Sequence, residues 1–193
     1  MILGITGGTG CGKSTLLAEI EKLGGLVLDC DKIYHELLAT DPALTAAIEA
    51  RFPGVVTDGA LDRKKLGAIV FSNENALTDL NKITHAAIKA EVLRRLETAP
   101  ALAAIDAIGL FESGLSELCD VTVAVTAPED VRIRRLMARD GITEEYARSR
   151  IRAQRDPRWF RENCGYVLEN DRDLPAFRTK CLAFFRELGI MNS

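Results

Sequence analysis

Residues 7–14 read Gly7-Gly8-Thr9-Gly10-Cys11-Gly12-Lys13-Ser14, which satisfies the spacing G-x-x-x-x-G-K-[S/T] without a gap. Residues 1–6 (MILGIT), just before it, are a short apolar run that reads as a buried strand. Beyond it, Leu16, Leu17, Ile20 and Leu23 recur at helical spacing until Gly24-Gly25 stops them. A strand that turns through glycines into a helix suits a phosphate chain. The glycines let the backbone wrap closely and aim its N–H groups inward, and the helix N-terminus adds positive potential. In this reading Gly8, Gly10, Cys11 and Gly12 surround a nucleoside triphosphate. Lys13 reaches the β- and γ-phosphates, the Ser14 hydroxyl ligates Mg²⁺, and Thr15 contacts the α-phosphate.

Outward from this loop, Leu26–Asp29 and residues 101–106, 121–125 and Tyr166–Glu169 read as further strands. Helical stretches separate them, which implies an α/β P-loop NTPase fold with a doubly wound, parallel, five-stranded sheet. From Lys32 to about Thr98 the pattern is mainly helical, broken at Asp41-Pro42, at Pro53-Gly54 and near Asp58-Gly59. These roughly 70 residues are too many for one crossover, so they read as a helical insertion. After Thr126, whose spacing to Glu129 suits a capping box, a helix runs to about Arg139 and stops at Gly141. A second arginine-rich helix covers about 143–155 and ends before Pro157. Pro175 starts a last helix with Phe177, Cys181, Phe184, Phe185 and Leu188 on one side. The chain is thus one domain: a core of residues 1–31, 99–127 and 165–193, an acceptor-binding insertion at about 32–98 and a lid at about 128–164.

The 193 residues carry a net charge of −3, with 47% hydrophobic and 27% charged residues, an ordinary globular balance. No apolar run approaches the ~20 residues that span a bilayer, and residues 1–6 lack the basic flank of a signal peptide. The cysteines are odd in number and form no C-x-x-C pair, which fits a reducing cytoplasm. The charge is unevenly spread. Ten arginines and four carboxylates lie between Arg132 and Arg161, a local +6 that leaves −9 for the rest of the chain. Lysine is absent from this stretch, so a small phosphorylated ligand fits better than nucleic acid.

In parallel sheets, ligands bind beyond the carboxyl ends of the strands. The second strand ends Asp29-Cys30-Asp31, and the third ends at Asp106, with Phe111-Glu112 close behind. Phosphoryl transfer calls for one carboxylate to handle the acceptor proton and another to hold Mg²⁺. Asp31 and Asp106 suit these roles, whereas Asp29 is more readily explained as a helix cap. Asp106-Ala107-Ile108-Gly109 also spells the GTPase element D-x-x-G. The guanine-reading N-K-x-D that should follow is missing, since Asn81-Lys82-Ile83-Thr84 lacks the Asp and comes too early.

Arg132, Arg135 and Arg139 share one helix face, and Arg148, Arg152 and Arg155 follow on the next helix. Joined by Asp140-Gly141, the two helices read as a lid that brings guanidinium groups onto phosphates and excludes water. Cys11, beside Lys13 and a helix N-terminus, reads as a reactive thiolate shielded by nucleotide.

Taken together, the chain resembles the dephospho-coenzyme A kinases, within the P-loop nucleoside-monophosphate kinase-like group. The resemblance rests on residues 5–14, Asp29-Cys30-Asp31, Leu110-Phe111-Glu112, and Arg135-Leu136-Met137-Ala138-Arg139-Asp140-Gly141 with Arg150-Ile151 and Gln154. It implies ATP-dependent phosphorylation of the ribose 3′-hydroxyl of dephospho-coenzyme A, with Mg²⁺. It also implies that Asp31 is the base, Arg139 the lid arginine on the phosphates, and Asn170 a neighbour of the adenine. His85, Leu110 and Glu112, with Asp31 and Asp106, are implied on the acceptor side. The chain departs from the family pattern at Ala86, Ile108-Gly109 and Cys164-Gly165. Two other readings stay open on the residues: a P-loop kinase for a different metabolite, and a nucleotide-dependent binding or switch protein.

Overall fold

The computed structural model describes residues 1–57 and 59–191. Its central sheet has five parallel strands: β1 (Ile2–Thr6), β2 (Leu26–Asp29), β5 (Ala103–Asp106), β6 (Val121–Thr126) and β7 (Tyr166–Glu169). They are ordered β2-β5-β1-β6-β7. β1 is central, so the loop that follows it opens at the middle of the sheet's carboxyl edge. The register pairs Asp29 with Asp106 and Thr6 with Ala124, which sets the ends of β2, β5 and β1 along one rim.

Alternation along the strands divides the core into two layers. Leu3, Ile5, Ala104, Val123 and Val125 face α1 (Lys13–Lys22) and α9 (Leu174–Glu187), the latter through Phe177, Cys181, Phe184 and Phe185. Leu28 and Ile105 face α2 (Cys30–Thr40) and α5 (Glu74–Leu96) through Ile33, Ile88 and Val92. The apolar face expected on the last helix is therefore the packing face, and Asp173 caps that helix ahead of its N-terminal proline. Burying each large side chain is worth about 1.5–3 kcal/mol, so each layer is well supported.

The insertion has its own core. Leu44, Ile48, Phe52, Leu66, Val70 and Leu80 join α3 (Pro42–Arg51), α4 (Arg63–Val70) and the first half of α5. Asp41, Asp62 and Asn73 cap these helices, and each break read from the sequence is a cap or turn. The break near residue 59 is the turn of a two-stranded hairpin, β3 (Val56–Thr57) with β4 (Ala60–Leu61), which the helical pattern had hidden. Asp58 lies outside the described residues.

The lid differs from its sequence reading in three ways. α6 (Glu129–Asp140) is preceded by Pro128 with no side-chain cap. Thr126 ends β6 and its buried hydroxyl has no hydrogen-bond partner, so the expected capping box does not form. α7 (Glu144–Arg152) ends earlier than expected, and a third helix, α8 (Pro157–Asn163), follows on an Asp156 cap. Pro157 begins a helix here because a first-turn proline needs no hydrogen bond. Ile133, Leu136, Ala147 and Ile151 form a small core that fastens α6 to α7. Gly141 makes the turn between them in the left-handed region, at φ 64°.

Candidate active site

The phosphate loop enters α1 through Gly12, whose backbone is left-handed (φ 92°, ψ 30°). A Cβ at this position would also run into the Asn170 amide, so glycine is required twice over. Lys13 Nζ donates to the Gly7 carbonyl at 3.1 Å and stands 3.9 Å from Asp106 Oδ1. That oxygen is buried and has no hydrogen-bond partner. Burial pushes the Asp106 carboxyl up to about 6, against the pull of Lys13 and with help from Asp29 and Asp31.

Lys13, Ser14, Asp31 and Asp106 line a cavity of about 1020 Å³ together with Gly8, Gly10 and Gly12. Such a volume suits a nucleotide and part of a second substrate. The orphaned Asp106 oxygen and the Ser14 hydroxyl fit the donor chemistry of Mg²⁺, which takes few protein ligands and completes its shell with phosphate and water. Among the described residues no group of three or more His, Cys, Asp or Glu could hold a metal unaided.

Asp29 and Asp31 separate into different roles. The Asp29 carboxylate accepts from Lys32 N at 3.0 Å and caps α2. Asp31, in the first turn of that helix, lines the large cavity and also a second one of about 230 Å³ between α2, α5 and residues 107–115. His85, Tyr34, Ile88 and Ser113 line this second cavity. Burial holds the His85 imidazole below its ordinary pKa, while Glu112 pulls the other way.

The arginines also divide. Arg139 and Arg150 line the large cavity, and both bind Asp140, Arg139 through two bonds of 2.6 and 2.9 Å and Arg150 at 2.7 Å. Their hydrogen bonds hold the Asp140 carboxyl down at about 2. Arg135 lines the same cavity, whereas Arg132 does not. Arg132 is 5% exposed and donates from Nε to the Thr9 carbonyl at 2.9 Å. Arg135 reaches the Gly10 and Cys11 carbonyls at 3.4 and 3.3 Å. Both therefore brace the phosphate loop through its carbonyls, and Arg135 does so while also facing the cavity. Arg148 turns to Glu129 and Glu144, and Arg155 to Glu112 and the face of Trp159.

Several residues named from sequence stand elsewhere than expected. Cys11 is 2% exposed inside the core, and desolvation raises its thiol pKa over the pull of Arg132 and Lys13, so it is not a reactive thiolate. Leu110 is fully buried against Gly4, where a Cβ would come within 2.9 Å of it. It is a packing residue and lines neither cavity. Asn170 is 4% exposed, donates to the Cys11 carbonyl at 2.9 Å and accepts from Arg135 at 3.1 Å, which places it behind the loop. Thr15 is absent from the cavity wall. Glu112 lines a third cavity of about 340 Å³ with Gly8, Gln154 and Arg155.

Sequence reasoning gave no site role to Lys32 or Arg95 and quoted Arg150 only within the family pattern, yet all three line the large cavity. Ile108, noted in the sequence only as a departure from the family pattern, is 48% exposed and lines all three cavities. Arg150 lies ten residues beyond Asp140, and that ion pair had no local signature.

Comparison with known proteins shows the family. The family model for dephospho-CoA kinase matches residues 1–176. The dephospho-CoA kinase of Moorella thermoacetica is 38% identical over 97% of this chain and 92% of its own length. That of Geobacillus kaustophilus is 36% identical over 97% and 96%. Among solved structures, a Thermus thermophilus protein superposes with a TM-score of 0.82 at 33% identity, covering 97% of each chain. The Campylobacter jejuni dephospho-CoA kinase gives 0.69 at 27% identity over 98% of each. The shikimate kinase of Bacteroides thetaiotaomicron, at 18% identity and 0.60, shares the fold. With relatives matched over nearly their full length and a family model spanning both loop and lid, this chain belongs to the dephospho-CoA kinase family.

Proposed function

We propose that this chain transfers the γ-phosphoryl group of ATP to the ribose 3′-hydroxyl of dephospho-coenzyme A, giving coenzyme A and ADP, the last step of coenzyme A synthesis. One observation carries the reading beyond family membership. Asp31 stands where the phosphate-loop cavity meets the smaller cavity lined by His85, so one carboxylate faces both substrates. A hydroxyl presented from the smaller cavity gives up its proton to Asp31 as it attacks.

The loop's inward N–H groups and Lys13 hold the β- and γ-phosphates, and Arg139 and Arg150 offset charge that develops on the transferring group. Ser14 and Asp106 would hold Mg²⁺, which neutralises phosphate charge when bound. Closure of α6 and α7 over the site excludes water that would otherwise take the phosphoryl group. His85 and Glu112 are assigned to the acceptor side. A cytoplasmic location goes with this reading and is supported by five free cysteines. Among the described residues no helix is long and apolar enough to cross a membrane.

A coupled ADP-release assay with ATP and a panel of hydroxylated acceptors tests the proposal. Turnover with dephospho-coenzyme A and not with shikimate, gluconate or deoxynucleosides is the expected result. Turnover with another acceptor alone would overturn the substrate assignment.

A further inference from the structure

A phosphate loop aims its N–H groups inward, so its carbonyls face the rear and need donors there. Here Arg132 serves Thr9 and Arg135 serves Gly10 and Cys11. Thr9 is unusual in that its N–H also turns outward, donating to Gln154 Oε1 at 2.8 Å. The same oxygen accepts from the Arg132 guanidinium at 2.9 Å. Thr9, Arg132 and Gln154 thus close a three-membered ring of hydrogen bonds around one side-chain oxygen. Gly8 is part of the arrangement, because a Cβ there would collide with the Arg132 guanidinium.

Two further features give the ring a role beyond packing. Arg132 is buried, and its hydrogen-bond partners are the neutral Thr9 carbonyl and Gln154 amide oxygen. A buried guanidinium makes charge-assisted hydrogen bonds even to neutral oxygens, and these fix both partners more firmly than neutral pairs would. The ring also joins both lid helices to the loop. Arg132 lies on the helix that carries Arg139, and Gln154 follows the helix that carries Arg150. Both of those arginines line the large cavity.

We infer that Gln154 is a positioning residue for ATP: its single amide oxygen fixes the Thr9 peptide and sets the register of both lid arginines against the phosphate loop. The inference rests on the kinase reading for its effect on turnover, but its effect on nucleotide binding does not depend on the acceptor.

The test compares Gln154→Met, which keeps size and loses the acceptor, with Gln154→Glu, which keeps the acceptor and pairs with Arg132. ATP affinity is measured by calorimetry, and turnover with dephospho-coenzyme A is measured alongside. Gln154→Met is expected to weaken ATP roughly tenfold, as loss of charge-assisted hydrogen bonds does. The KM for dephospho-coenzyme A should stay within about twofold, and Gln154→Glu should bind ATP nearly as the parent does. Equal weakening in both variants, or unchanged ATP binding in Gln154→Met, overturns the inference. Arg132→Met added to Gln154→Met should cost little more than either alone, since both break one ring. Full additivity would likewise overturn it. A parent protein that binds ATP but fails on dephospho-coenzyme A would count against the proposed acceptor and leave the ATP comparison decisive here.

Discussion

Lys13 Nζ and Asp106 Oδ1 stand 3.9 Å apart, close enough to feel each other's charge and too far to share a hydrogen bond. The Lys13 ammonium is spent on the Gly7 carbonyl, and the Asp106 oxygen is left buried without a donor. Desolvation therefore outweighs the ion pair at Asp106, which is why its carboxyl is raised to about 6.

This imbalance makes Asp106 a group whose charge costs stability until a ligand compensates it. In nucleotide-free protein at pH 8, Asp106→Asn should raise the stability to denaturant by up to about 3 kcal/mol, the equivalent of the shift from 3.8 to about 6. The same variant should lose most of its turnover. A destabilised variant in urea titration would contradict the account.

Asp31 faces both cavities, so its removal should affect chemistry more than binding. Asp31→Asn is expected to lower kcat by roughly 10²–10⁴-fold, the usual worth of a general base. ATP affinity by calorimetry should stay near that of the parent. Unchanged kcat would remove Asp31 from the proton-handling role.

Cys11 lies inside the phosphate loop but inside the core as well, with its thiol raised by burial. In iodoacetamide labelling at pH 8 followed by peptide mass spectrometry, Cys11 should react far more slowly in the folded protein than in the urea-unfolded chain, because it is buried. Mg-ATP should not change the Cys11 rate. Rapid, nucleotide-sensitive labelling of Cys11 would reverse this conclusion.

Glu91 offers a pH test away from the site. Hydrogen bonds from Arg94 and Arg95 hold its carboxyl down at about 2. A depressed folded pKa gives stability that is present above the unfolded value near 4.5 and is lost as pH falls toward about 2. Its side chain is 15% exposed on an otherwise solvated helix face, so screening limits the gain to about 1 kcal/mol. Glu91→Gln should lower the melting temperature by a few degrees at pH 7 and by progressively less between pH 4 and pH 2. An equal loss across that range would show that shape and not charge carries the effect.

The parts legible in the sequence are those governed by local rules. The strand, glycine loop and helix of residues 2–22 follow from apolar periodicity and backbone freedom. So do the carboxyl ends at Asp29 and Asp106 and the apolar face of α9. The short β3–β4 hairpin was missed because two-residue strands carry no period.

Tertiary structure decided which of several identical side chains does what. Arg132 and Arg139 share a helix face in sequence, yet one is buried behind the phosphate loop and the other lines the cavity in front of it. The partner of Arg132 is Thr9, 123 residues away in the chain. Likewise Leu110 is buried because Gly4 leaves room for it, and Cys11 is quenched because α9 and the sheet close over it. Periodicity records which face of an element is apolar. Desolvation and hydrogen-bond partners arise only when separate elements meet, and those set the charge and reach of each group in the site.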